Sequence, residues 1–137
     1  MAANSDLALA EAVHIGKACG SEIAIVHVID NTYLRCDPLL FAPDDLRKAL
    51  REDGEALLKA ARERVEAERI PCATRLRDEP AAIGEISTVV EQAAQECGAE
   101  LLVIGTHGRH GIRRILLGSV AEALVGHSRL PVLLVRR

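Results

Sequence analysis

Three short runs of this chain are apolar at almost every position: Ile23–Ile29, Leu101–Ile104 and Val132–Val135. A strand with one wet face alternates apolar and polar residues, so a run without alternation has no side to give to water. Such strands are covered on both faces and are typical of parallel sheets, whose crossover helices pack above and below. The stretches between the runs carry helical periodicity instead. From Ser5 to Cys19, Ala8, Ala12, Ile15 and Cys19 share a stripe, with Asn4 or Ser5 as cap and Gly20 as a left-handed stop. From Asp44 or Asp45 onward, Leu46, Leu50, Leu57, Ala61 and Val65 track one face, and Pro71 ends the helix. Gly54 interrupts it at a cost of about 1 kcal/mol, which makes a break there an open alternative.

Cys72–Leu76 reads as a further short strand. After Pro80 a helix aligns Ile83, Ile86, Val90, Ala93 and Cys97 and stops at Gly98. A last helix from Ser119 to His127 leads to Pro131 and the final strand. The order α-β-α-β-α-β-α-β predicts an α/β fold with a parallel sheet. Residues 30–43, with Pro38, Pro43 and both aromatics, form an irregular stretch near the length limit of a structureless loop, either a short helix or a functional lid.

Composition narrows the function. The chain has 137 residues, 49% hydrophobic but only 1% aromatic, so its core is aliphatic. That content excludes disorder, and no run approaches the ~18 apolar residues of a membrane span. A single-strand nucleic-acid reader needs several stacking aromatics, and a net charge of −3 attracts no polyanion. Neither nucleic acid nor membrane is expected as a partner. Cys19, Cys36, Cys72 and Cys97 stand singly without zinc spacing and read as reduced, partly buried thiols. The N-terminus shows no basic region followed by an apolar stretch, so the expected compartment is the cytoplasm.

The segment that carries chemistry runs from Gly105 to Ser119. It leaves the carboxyl end of a buried strand, where open α/β sheets bind ligands. Gly105 and Gly108 let the backbone turn sharply and let a ligand approach its N–H groups. Gly118-Ser119 stands at a helix mouth, whose first N–H groups lack internal partners and suit a phosphate. The glycines match neither a Walker A loop nor a dinucleotide fingerprint. From these residues alone, phosphate binding and plain turn chemistry are equally good readings.

The spacing Gly105-x2-Gly108-x9-Gly118-Ser119 resembles the G-x2-G-x9-G-[ST] motif of the universal stress protein family, in its ATP-binding branch. Leu101–Gly111, Leu116–Glu122, Pro131–Arg136 and His27-Val28-Ile29-Asp30 are similar to that family too, so the resemblance covers nearly the whole chain. It implies a Rossmann-like (adenine nucleotide alpha hydrolase-like) open parallel sheet with helices on both faces. It also implies an ATP-binding regulatory role in survival under stress, and a homodimer through the edge strand Pro131–Val135. By the resemblance, Gly105, Gly108, Gly118, Ser119 and Val120 hold phosphates and ribose, and Val28 meets adenine through its backbone. His107 and Arg109 flank the triphosphate path, either in contact or simply solvated; Arg113 and Arg114 read as a solvated surface. The Ser119 hydroxyl serves a phosphate oxygen or the helix cap equally well.

In that family a strand ending in a nucleotide-contacting Asp precedes the first helix and lies mid-sheet. Only Met1–Asn4 precede the helix here, so the expectation is a single N-terminally truncated domain lacking the family's first strand. Its former neighbours would stand about twice the ~4.8 Å strand spacing apart, unless the sheet rearranges or borrows a strand from a partner. Mg2+ would be held mainly by the phosphates, because His107 and His110 have no third ligand nearby. No nucleophile–base pair can be picked out, so slow ATP hydrolysis, with His110 activating water, is the most enzymology expected. The alternative is a dimeric structural or interaction module of the same fold that binds no nucleotide.

Overall fold

The computed structural model describes residues 3–29, 44–78, 86–106 and 117–136. Helices and strands alternate: α1 (Ala3–Cys19), β1 (Ile23–Val28), α2 (Asp44–Glu66), β2 (Cys72–Arg77), α3 (Ile86–Glu96), β3 (Leu102–Gly105), α4 (Ser119–His127) and β4 (Val132–Val135). This is the α/β order that the aliphatic runs demand, and both strand pairings are parallel. Ile23 pairs with Cys72 through to Val28 with Arg77, and Leu102 pairs with Val132 through to Gly105 with Val135. The strands group two and two, β1 with β2 and β3 with β4, and no ladder joins β1 to β3. Among the described residues, no helix is long and apolar enough to cross a membrane.

Two aliphatic clusters hold the layers together. One joins Leu9 and Val13 of α1 to Ala61 and Val65 of α2 over Ile23, Ile25 and Cys72. The other joins Val90 and Ala94 of α3 to Leu124 of α4 over Leu102, Ile104 and Val132. Helices α1 and α2 meet in the first cluster, and α3 and α4 in the second. Helix α1 also packs on β3 and β4, and α3 on β1, so each of these two helices reaches from one strand pair to the other.

Several details depart from the expected pattern. Helix α1 starts at Ala3, so Asn4 and Ser5 lie within its first turn rather than capping it. Its buried positions are Ala8, Leu9 and Gly16, while Cys19 is exposed and so not the partly buried thiol expected. Gly20 and Gly98 do adopt the left-handed stop, at φ 66° and 65°. Helix α2 is unbroken at Gly54, and its buried stripe is Gly54, Leu58, Ala61 and Val65, with Leu46 exposed. Pro71 does not end it; the helix stops at Glu66, and Arg69, at φ 60°, turns the chain. Ile83 and Cys36 lie outside the described residues. The apolar strands are less covered than their composition requires: most of β1 is half-buried and Ala24 is exposed.

Glu91 of α3 organises the turn between α4 and β4. Its carboxylate accepts from the Ser128 hydroxyl at 2.6 Å and the Arg129 N–H at 3.0 Å, and the Leu130 N–H donates to Ser128 Oγ at 3.1 Å. These bonds, the Ser128 hydroxyl foremost, hold the Glu91 carboxyl below its ordinary value near 4.5. A depressed folded-state pKa contributes stability that is complete above the unfolded value and is lost as pH falls through the folded one. Glu91→Gln is expected to cost about 1 kcal/mol at pH 7. The difference from the parent should shrink as urea unfolding is repeated from pH 5 downward; a pH-independent difference would mean the carboxylate charge is not what holds the turn.

Candidate functional site

Local chemistry brings the ends of the glycine-rich segment together. Gly105 closes β3 rather than opening the loop, and Thr106 follows it, buried. The Thr106 N–H donates to the Val135 carbonyl at 3.1 Å, extending the β3–β4 ladder by one step. The Thr106 carbonyl accepts from the Gly118 N–H at 2.7 Å. That bond ties the end of β3 to the start of α4. Residue-type reasoning missed Thr106 because its contribution is made by backbone atoms. The available signal was a polar residue directly after a fully apolar strand.

Helix α4 opens on Gly118 as its cap, at φ −60° and ψ 151°, with no side-chain cap bond. Its carbonyl accepts the first helical bond, from the Glu122 N–H at 2.8 Å. The N–H groups of Ser119, Val120 and Ala121 precede that bond and have no place in the helical ladder. A glycine cap leaves them to a ligand, since it has no oxygen to offer them. Ser119 is thus the first helical residue, exposed, and its hydroxyl is not the cap that the sequence allowed. The Val120 side chain packs into the α3–α4 cluster, so only its backbone N–H is available.

Val28 ends β1 opposite Arg77. The bonds from the Ile23 N–H to Pro71 and from the Ile29 N–H to Arg77 set the parity of the ladder. The odd-numbered residues of β1 face β2, and Ala24, Val26 and Val28 turn their N–H and C=O groups the other way. Val28 lies at the carboxyl end of β1, Gly105 at the carboxyl end of β3, and α4 is the helix that follows β3. In open α/β sheets, ligands bind outside the carboxyl ends of the strands. His107, Gly108 and Arg109, with His110, Arg113 and Arg114, lie outside the described residues.

No other described group competes as reactive chemistry. The Cys72 thiol is pushed up by burial and then by Glu66, against a smaller opposing effect of Arg62, which makes it a poorer nucleophile. Among the described residues there is no cluster of three metal-ligating side chains.

Comparison with known proteins gives a consistent picture. The model of the universal stress protein family matches residues 2–136. A universal stress protein of Methanocaldococcus jannaschii is 29% identical over 136 residues, covering 97% of this chain and 77% of that protein. The crystal structure of a universal stress protein family member from Burkholderia pseudomallei superposes with a TM-score of 0.76 at 27% identity, over 99% of this chain and 89% of that one. A universal stress protein from Archaeoglobus fulgidus, solved in complex with dAMP, superposes with a TM-score of 0.68 at 18% identity, over 99% and 90% of the two chains.

Proposed function

Because this chain belongs to the universal stress protein family, we propose that it is an ATP-binding regulatory protein of the stress response. The carrying observation is the α4 entrance: three backbone N–H groups at a glycine-capped helix start, joined to the end of β3 by the Gly118–Thr106 bond. The positive end of the helix dipole and these donors suit a phosphate without a basic patch. That agrees with a chain whose net charge is −3. In this reading Gly105, Gly108, Gly118, Ser119 and Val120 hold the phosphates and ribose, His107 and Arg109 flank the triphosphate, and the outward backbone of Val28 meets adenine. Mg2+, where bound, is held mainly by the phosphates. The dAMP complex of the Archaeoglobus relative supports an adenine nucleotide as the ligand class. The role is binding in the cytoplasm rather than turnover, with slow hydrolysis at most.

Isothermal titration with ATP tests the reading. Saturable heat in the micromolar range is expected; no heat below millimolar ATP would overturn it and leave the interaction module that binds no nucleotide.

The same reading makes the protein a homodimer through Pro131–Val135. In the parallel ladder the backbone of residues 131, 133 and 135 serves β3, so Val132 and Leu134 turn theirs to the outer edge. An aliphatic edge must be paired or covered, and a two-fold axis pairs two such edges at once. Val132 packs in the core, so a charge there would test folding as well as assembly. Leu134→Pro removes only an outward N–H, which edge strands tolerate. It is expected to convert the dimer peak to monomer in size-exclusion chromatography with an unchanged circular dichroism spectrum; a persisting dimer places the interface elsewhere.

A further inference from the structure

Helix α2 carries more apolar surface than its seat on the sheet uses. A helix at a protein surface needs one apolar stripe, about 100° wide. In α2 that stripe is Gly54, Leu58, Ala61 and Val65, all buried. The far side holds charged residues joined by the pairs Lys48–Glu52, Arg51–Glu55 and Arg62–Glu66. Between the two lies a third side, made of Leu46, Leu50, Asp53, Leu57 and Ala60, with Ala49 and Ala56 beside them. The steps along it alternate between four and three residues, which keeps it on one face of the helix. Leu46 is 43% exposed, Leu50 and Leu57 are half-buried, and the three alanines are exposed. Asp53, Ala56, Leu57 and Ala60 line an open groove of about 440 Å³. Among the described residues no ion pair involves Asp53.

We propose that this side of α2 docks a basic amphipathic helix of another protein, with its apolar ridge in the groove and a Lys or Arg on Asp53. The groove itself selects a helix. The backbone inside the unbroken α2 is already bonded to itself, so recognition here is by side chains. Leucines repeating beside alanines form the surface into which the ridge of a second helix packs. The charges select the sign of the partner. Asp53 stands within the face, and the exposed Asp45, Glu52 and Glu63 border it against Lys59. An apolar partner would strip water from Asp53 without a counter-charge, and a cation on the partner supplies one. A second copy of this chain fits poorly. Antiparallel pairing that brings the leucines together sets Asp53 against Leu57 or Ala60 of the second copy. Arg64, the base at the end of the same side, is held by Asp6 at 2.6 Å. An anionic lipid surface is repelled by the same acids. The face contains none of the residues assigned to ATP, so the two readings fail separately.

The test uses the 137-residue protein and a labelled synthetic peptide, three repeats of Ala-Leu-Lys-Lys-Leu-Ala-Lys, apolar on one side as a helix and basic on the other. Saturable binding by fluorescence anisotropy is expected, with the methyl resonances of Leu46, Leu50 and Leu57 shifting on titration. The same peptide with Glu for every Lys should bind at least tenfold more weakly. Ala56→Gln fills the groove at an exposed helical position and should weaken binding about tenfold, with an unchanged circular dichroism spectrum. Asp53→Asn and Glu55→Gln remove the same charge from two sides of α2. The first should weaken binding about tenfold and the second less than about twofold. Equal effects of these two variants, equal binding of the Glu peptide, methyl shifts confined to other leucines, or no saturable binding would overturn the proposal. Shifts at Leu46, Leu50 and Leu57 that follow protein concentration without peptide would assign the face to a second copy and overturn it too.

Discussion

Gly118→Asp is expected to leave the fold as stable as the parent, or a few tenths of a kcal/mol more so, while lowering ATP affinity roughly ten- to a hundredfold. The two effects have the same origin. Gly118 caps α4 at φ −60° and ψ 151°, a conformation open to any residue, and offers the helix no side-chain bond. Aspartate is a preferred cap and glycine a slightly weaker one. A carboxylate there would accept from the Val120 and Ala121 N–H groups, the donors assigned to phosphate, and would set a negative charge beside it. Losing charge-assisted bonds of this kind costs about 1.5–3 kcal/mol, which is the expected fold-change. Titration calorimetry and urea unfolding on the same variant separate binding from stability. Unchanged ATP affinity would remove the phosphates from α4, and a parallel loss of stability would mean the site was never tested.

Gly54→Val should have the largest effect on stability, a loss of about 2 kcal/mol in urea unfolding. A Cβ at position 54 would stand 2.8 Å from Leu76 Cδ1 and 3.0 Å from His27 Cδ2, closer than carbon atoms pack. Helix α2 seats directly on β1 and β2 at this point, and the missing side chain permits it. Overpacking of this kind costs about 1–3 kcal/mol, a large share of a total near 5–15 kcal/mol. Gly54→Ala should fall within about 1 kcal/mol of the parent, because recovered helix propensity offsets a clash with the movable end of Leu76. The double variant Gly54→Val, Leu76→Ala should lose less than the sum of its parts, since the two sites share one volume. Strict additivity, or a neutral Gly54→Val, would show that α2 does not rest on Leu76.

The contrast at Gly54 shows where sequence reasoning stops. Read along the chain, a glycine within a helical pattern is a cost and a candidate break, because propensity is a local quantity. Its reason lies in Leu76 and His27, 22 and 27 positions away, which only the packed structure brings together. The stripe on α2 shifted for the same reason. Leu46, Leu50 and Leu57 are as apolar as the buried Leu58, and the seating of the helix on β1 and β2 chose among them. At the candidate site, glycine spacing pointed to the 105–119 segment, whereas the Thr106–Gly118 clamp is made by backbone atoms and leaves almost no residue-type signal. Helix α4 starts at Ser119, as its sequence suggests, so the cap is the preceding Gly118 and the Ser119 hydroxyl is not needed for capping.

The sequence by itself determined the fold class, the parallel sense of the strands and the family. The first two follow from the order of elements and from apolar runs without alternation; the family is a likeness of the whole sequence, matched over residues 2–136. Only the tertiary structure decided which strands share a ladder, which helix face is buried and which backbone groups remain free. Those depend on contacts between residues far apart in the chain, and a hydrogen-bonding edge belongs to every residue alike until its neighbours are in place.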